Sequence, residues 1–378
     1  MEYILKHKDI AVLSFSLDEE YRLKGKVKVH NKDHVPFGSK YAHDNTQIIE
    51  SLRYWIDNRG LPNTRPDRID LYKYYKVESS KELMLGSYGL NLSDHYWVHQ
   101  KGTDLKWKDY NFFDNNFKDV FDEIKNGKKT HDLNPNRSVD GSLSKMWYID
   151  EHNTRWLRKK GRDLQEQEPF NEVIASEIMK LLNIEHVEYC LQKIDNTIPV
   201  SDCRCMVDSE TEIISASMVL GMEQRRGRNN YDLFIDNCLQ FGIDNARECL
   251  DKMIFIDYII GNEDRHLYNF GIIRNAQTLK WIKVTPLFDN GNSLYFDRQI
   301  INDIDDLLDT HCRWFSEKNG DKLKLINKDV SWYNTDLRLH VEHIINNTLL
   351  SNNKVLPEKR AKLTEIVLKR LALFEGCL

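Results

Sequence analysis

No stretch of this 378-residue chain approaches the roughly 20 apolar residues that a membrane-spanning helix requires. Its first residues, MEYILKHKD, carry charges throughout and lack the apolar core of a secretory signal. Cysteine is sparse: seven residues, an odd number, scattered along the chain. Cys203 and Cys205 stand close together, but no second Cys/His pair completes a zinc site. Reduced thiols and a cytoplasmic location with no membrane contact are therefore the expectation. There is no basic excess either. Lys and Arg number 54 against 59 Asp and Glu, a formal net charge of −5, which argues against nonspecific nucleic-acid binding. Internal repeats and low-complexity tracts are missing. What remains is a globular chain long enough for two or three compact units.

The most informative stretch is Ile256–Leu294, IDYIIGNEDRHLYNFGIIRNAQTLKWIKVTPLFDNGNSL. An apolar run of helical character, Met253–Ile260, stops at Gly261-Asn262. A polar loop follows from Asp264 to Asn269. Phe270–Arg274 reads as a strand, Asn275–Thr278 as a turn and Leu279–Thr285 as a return strand. Such a hairpin brings Asn269, just before it, close to Leu287–Asp289, just after it. One loop then offers the Asp264 carboxylate to an acceptor hydroxyl and the Asn269 amide to a metal. The other offers a second metal-binding carboxylate, Asp289. Phosphoryl transfer from ATP needs such parts, because it depends on positioning and charge neutralisation. Singly, each residue suits an ordinary turn or a structural histidine. Their order carries the signal.

Three upstream pieces extend this reading. Asn136–Trp147, NRSVDGSLSKMW, is a polar stretch that would bring backbone N–H groups and Lys145 to phosphates, although alone it reads as a turn. Thr154–Gly161, TRWLRKKG, alternates like a strand, with Leu157 and Lys159 on one face and Arg158 and Lys160 on the other. Glu168–Ile184 reads as a helix opened by Pro169, with an apolar stripe of Phe170, Val173, Ile174, Ile178, Leu181 and Leu182. Glu172 falls in its first turn, where the helix dipole favours an acid. It also suits the role of the helix glutamate that holds a phosphate-binding lysine in protein kinases.

With these residues quoted, the chain resembles the HipA-like kinase family, which includes bacterial persistence-toxin kinases and pro-inflammatory bacterial kinases. The resemblance runs from about Arg137 to Leu294, and more loosely through the C-terminus. The family's S-[IV]-x-G-x-x-x-K loop matches Ser138 through Gly141 to Lys145. Its L-x-K-x-G strand matches Leu157–Gly161, and its N-E-V-x-A-S helix matches Asn171–Ser176. Its N-x-D-R-H-x-x-N loop matches Asn262–Asn269, and its P-x-x-D matches Pro286–Asp289. The resemblance implies an ATP- and Mg2+-dependent serine/threonine protein kinase. Asp264 would be its catalytic carboxylate, and Asn269 and Asp289 its metal ligands. Ser138, Gly141, Lys145, Lys159 and Glu172 would serve the nucleotide. Ser138 aligns with a loop serine at which family kinases phosphorylate themselves. A protein substrate and an inhibitory antitoxin-like partner are further implications. Two departures stand out: Arg158 replaces an apolar residue, and Lys160 replaces a small one and so competes with Lys159 for its role.

The string DRHLYN also resembles the catalytic loop of phosphoinositide kinases, which would make His266 catalytic and the acceptor a lipid or small molecule. A nucleotide-binding module that no longer transfers phosphate is a third reading. The expected fold is α+β: a two-lobed, protein-kinase-like fold preceded by an N-terminal α+β accessory domain. Its divisions are 1–133 for the accessory domain, 134–210 for the small lobe and 211–378 for the helical large lobe, with a hinge near Val207–Glu212. Small-lobe strands are expected near Met146–Asp150, Thr154–Lys159, His186–Lys193 and Arg204–Val207. Large-lobe helices are expected at Tyr231–Phe241, Ala246–Ile260, Asn302–Glu317, Thr335–Ser351 and Pro357–Gly376. The leading region resembles that of a Firmicutes-type subgroup through Arg53–Arg65, Tyr88–Val98 and Trp107–Phe113. Its aromatics, interspersed with acids, read as packing groups, not as a base-stacking surface.

Overall fold

The computed structural model describes residues 1–37, 44–120, 123–124, 127–139, 143–161, 165–221, 229–312 and 314–378. The chain begins with an antiparallel sheet of order β3-β2-β1-β4, from β1 (Glu2–His7), β2 (Ile10–Leu17), β3 (Leu23–Val29) and β4 (Tyr96–Gln100). Alternation in IAVLSFSL puts Val12 and Leu13, Phe15 and Leu17 into a core with Leu5 and Tyr3. Helix Asn45–Asn58 closes that core with Ile48, Leu52, Trp55 and Ile56. Asp44 caps it by accepting from the Gln47 N–H at 2.8 Å. The aromatics of this region pack as expected. Trp97, Trp107, Phe112 and Phe113 form a buried cluster with Val207 and Ile273 from the rest of the chain.

The second sheet has the order β5-β6-β8-β7, all antiparallel: β5 (Lys145–Ile149), β6 (Arg155–Lys160), β7 (Tyr189–Ile194) and β8 (Ile198–Arg204). The strand expected at Arg204–Val207 lies earlier, at β8. The cause is a tight turn in which Asp195 and Asn196 both take left-handed backbone (φ 50° and 58°), returning the chain at once from β7. Helix Glu168–Leu181 packs on this sheet. Its stripe buries Phe170, Ile174, Ile178 and Leu182, whereas Val173 is only partly covered and Leu181 is 44% exposed, so the stripe is narrower than expected.

A third sheet, β11-β10-β9, joins β9 (Thr211–Ser215) to the hairpin of β10 (Gly271–Asn275) and β11 (Trp281–Val284). Only glycine fits at 271, where a Cβ would lie 2.1 Å from the Ile214 carbonyl oxygen. The helical lobe is built from Asn230–Gln240, Ala246–Ile260, Leu337–Leu350 and Pro357–Glu375, which share one large apolar core with helix Glu168–Leu181. No helix of the described residues is long and apolar enough to cross a membrane. The helix expected at Asn302–Glu317 does not form. That stretch holds one turn at Asp305–Leu307 and then left-handed backbone at Trp314 and Phe315, which no helix accommodates. All seven cysteines are free thiols.

A buried polar network ties the first sheet to the third. Glu212 on β9 accepts from Arg274 Nε at 2.6 Å and meets His7 Nε2 at 3.0 Å, and the His95 N–H donates to it at 3.2 Å. Arg274 also donates to the Tyr96 hydroxyl at 3.0 Å. Burial holds the His95 imidazole down to about 4, against the pull of Glu212 and with Lys8, His7 and Asp94 nearby. A histidine that stays neutral when folded but titrates near 6.5 when unfolded stabilises the fold fully above pH 6.5 and loses that contribution as pH falls toward 4. The loss amounts to about 3 kcal/mol at 1.36 kcal/mol per unit. We predict that urea midpoints fall steeply from pH 7 to 4.5 in the wild type and less steeply in His95→Gln. Parallel pH dependences would contradict this assignment.

Candidate active site

Lys159 is central to the site. It sits on β6 directly opposite Lys145 on β5, so both side chains project from one face of the sheet. The side chain of Lys159 is only 5% exposed. Its Nζ donates to Glu172 Oε1 at 2.7 Å, to Asp289 Oδ1 at 2.6 Å and to the Tyr189 hydroxyl at 3.0 Å. Burial alone would push an ammonium down, but the Asp289 and Glu172 carboxylates hold Lys159 well above its ordinary value. Burial likewise opposes ionisation of Asp289, yet Lys159, Lys145 and His266 hold its carboxyl well below the usual range. Glu172 is pushed upward by burial and by the Asp289 charge, with Lys159 opposing. Lys160, in contrast, has the opposite orientation on the strand, and among the described residues it is Lys159 that meets Glu172 and Asp289. The outward-facing Arg158 pairs with Asp202 at 2.7 Å.

Backbone geometry at the turn after β11 serves both acids. Asp289 has left-handed backbone (φ 61°), and the next N–H, of Asn290, donates to Glu172 Oε2 at 2.7 Å. Helix Glu168–Leu181 grips the same turn through Asn171 Nδ2, which donates to the carbonyls of Gly291 (3.0 Å) and Ser293 (2.6 Å).

The loop carrying Asp264 is fixed against that turn. Asn292 Nδ2 donates to Asp264 Oδ2 at 2.7 Å, and the Glu263 N–H donates to the Asn292 carbonyl at 3.2 Å. Asn269 Nδ2 donates to the Asp264 carbonyl at 3.0 Å. The His266 N–H donates to the same carbonyl at 2.8 Å, and the ring Nδ1 accepts from the Tyr268 N–H at 3.2 Å. His266 therefore braces the loop. It also lines a cavity of about 380 Å³ with Ser217, Leu220, Gly221, Leu267, Tyr268 and Trp314.

Two residues that the sequence reading missed organise this region. Arg265 is buried and forks onto Asp257 of helix Ala246–Ile260 at 2.9 to 3.2 Å. The same guanidinium donates to the carbonyls of Asn269 (3.0 Å) and Phe288 and to Asn290 Oδ1 at 2.6 Å. One side chain thus joins the Asp264–Asn269 loop to the turn of Asp289. The available signal was Asp257 itself, a lone acid inside the apolar run Met253–Ile260.

The upstream stretch behaves differently. Ser138 is buried, and its hydroxyl donates to the Leu90 carbonyl. Gly141 lies outside the described residues. Lys145 contributes its charge to the surroundings of Asp289. Among the described residues no cluster of three or more His, Cys, Asp or Glu side chains is arranged to hold a metal. Magnesium seldom uses such a cage. It takes one or two carboxylates with substrate phosphates, and Asp289 and Asn269 offer a carboxylate and an amide of the kinds it would use.

No protein-family model matches this chain, and no curated protein does. Solved structures do. The chain is similar to the HipA, HipB and operator DNA toxin–antitoxin complex of Shewanella oneidensis MR-1, with a TM-score of 0.59 at 13% identity over 99% of this chain and 98% of that one. Similarity at this level shows a common fold, the two-lobed HipA-like fold. A second match is the Helicobacter pylori proinflammatory kinase CtkA, at 15% identity over 62% of this chain and 97% of that one, with a TM-score of 0.47.

Breaking the Arg265–Asp257 pair from one side leaves a carboxylate buried and uncompensated. We predict that Arg265→Met lowers stability by about 3–5 kcal/mol in urea unfolding. A loss below about 1 kcal/mol, the scale of an exposed ion pair, would show that Arg265 does not organise the two loops.

Proposed function

We propose that this chain is an ATP- and magnesium-dependent kinase that phosphorylates serine or threonine on a protein. The observation that carries the reading is the buried Lys159 ammonium shared by Glu172 and Asp289. It resembles the lysine–glutamate pair and metal-binding aspartate of protein kinases. In this reading Lys159 and Lys145 bind the nucleotide phosphates, and Glu172 keeps Lys159 charged and aimed. Asp289 and Asn269 would hold magnesium, which when bound would neutralise phosphate charge. Asp264, steadied by Asn292, orients the acceptor hydroxyl and takes its proton. His266 braces the loop and borders the cavity in which the acceptor chain would lie.

Ser138 is the proposed site of self-modification. Its hydroxyl is engaged by Leu90, so phosphorylation there requires that contact to open. A phosphate would add about −1.5 to −2 charges beside Lys145 and the nucleotide phosphates, which supports self-inhibition. The Shewanella protein is found with HipB and operator DNA. An inhibitory protein partner is a natural extension of that likeness to this chain.

The test is incubation with labelled ATP and magnesium, with phosphosites mapped by mass spectrometry. The wild type should carry label on serine or threonine. Asp264→Ala should lose about 10²–10⁴-fold in rate, the usual contribution of a general base. Asp289→Ala should be at least as impaired. Activity of Asp289→Ala equal to the wild type would overturn the assignment. Label on lipid vesicles but on no protein would move the acceptor to a lipid.

A further inference from the structure

The segment Arg53–Arg65 of the N-terminal region has no part in the chemistry above, yet its last residue reaches the nucleotide side of the small lobe. The Arg65 side chain is fully enclosed. Its guanidinium is oriented by Asp67, to which Nε donates at 2.6 Å and Nη2 at 3.2 Å. The remaining donors leave the N-terminal region: Nη1 to the Val139 carbonyl at 3.0 Å, and Nη2 to the Lys145 carbonyl at 2.5 Å.

Strand geometry explains why that second carbonyl needs a partner. β5 is the edge of its sheet. The Lys160 N–H donates to the Ser144 carbonyl at 2.9 Å, and the register pairs Lys145 with Lys159. Hydrogen-bonded and non-hydrogen-bonded pairs alternate along an antiparallel ladder, so the backbone groups of Lys145 and Trp147 point off the open edge. Side chains complete that edge. Asn136 takes both backbone groups of Trp147, at 2.6 and 3.1 Å, and Arg65 takes the carbonyl of Lys145. Arg65 is a planar, permanently charged fork, and a lysine could not make the same set of bonds.

We propose that Arg65 is a positioning residue for nucleotide phosphates: by anchoring the backbone at Lys145 and Val139, it aims the Lys145 ammonium toward the Asp289 side of the site. This rests on the reading that Lys145 binds the phosphates of ATP. It gives the N-terminal region a role in nucleotide affinity that does not depend on touching the nucleotide.

The experiment uses the full chain and two probes, magnesium-ATP and adenosine, with dissociation constants measured by calorimetry. Arg65→Ala should weaken ATP about 10- to 100-fold, the range for one hydrogen bond to a charged group, and adenosine less than about twofold. Lys145→Ala should show the same pattern, and adding Arg65→Ala to it should cost little more, because both changes remove one interaction. Asp67→Asn keeps the guanidinium and should give a smaller loss in the same ATP-selective direction. It covers the case in which Arg65→Ala fails to fold. Equal weakening of ATP and adenosine, an unchanged ATP affinity, or additive losses in the double variant would overturn the inference while leaving the kinase reading intact. A wild type that binds no ATP would overturn both.

Discussion

An ammonium removed from water must recover in hydrogen bonds and opposite charge what it loses in hydration, and Lys159 does so with two carboxylates and a phenol. Those partners come from a helix, a strand two places along the same sheet and a turn more than 100 residues away in sequence. The pairing therefore fixes the small sheet, helix Glu168–Leu181 and the Asp289 turn relative to one another. It also leaves the Asp289 carboxylate 26% exposed at the edge of the cluster, the kind of oxygen ligand that would suit a divalent cation.

A second buried cation, Arg265, performs the matching task in the helical lobe. Its fork on Asp257 anchors it to a core helix, and its outer nitrogens take carbonyls from the Asp264–Asn269 loop and from the Phe288–Asn290 turn. The two clusters share the turn at Phe288–Asn290: Arg265 holds its back, and Lys159 and Glu172 hold its front. A change at either cation should propagate to the other through that turn, since Asn290 contacts both Arg265 and Glu172.

How much of this was legible in the sequence follows from distance along the chain. The Asp264–Asn269 loop, the β10–β11 hairpin and the Glu172 helix are local, with residue spacing that reports on them directly. Helix Ala246–Ile260 ends where Gly261 takes left-handed backbone, as the Gly-Asn pair suggested. β8 was misplaced because its start depends on the turn conformation of Asp195-Asn196, not on hydrophobic alternation. The apolar spacing of 302–317 suggested a helix, but the positive φ angles of Trp314 and Phe315 reflect tertiary packing that spacing cannot report. Arg265, Arg65 and the His7–Glu212–Arg274 network were invisible for a common reason. A charged side chain reads as surface until its partner is known, and the Glu212 partner of His7 lies more than 200 residues away.

The Lys159–Glu172–Asp289 cluster is proposed above as a metal-linked nucleotide site. The most direct measurement is ATP affinity by calorimetry with and without magnesium, for the wild type and Asp289→Asn. The substitution keeps the shape of the side chain and removes the charge. Magnesium should tighten ATP binding in the wild type, and this effect should be largely lost in Asp289→Asn. An equal magnesium effect in both proteins would contradict that proposal.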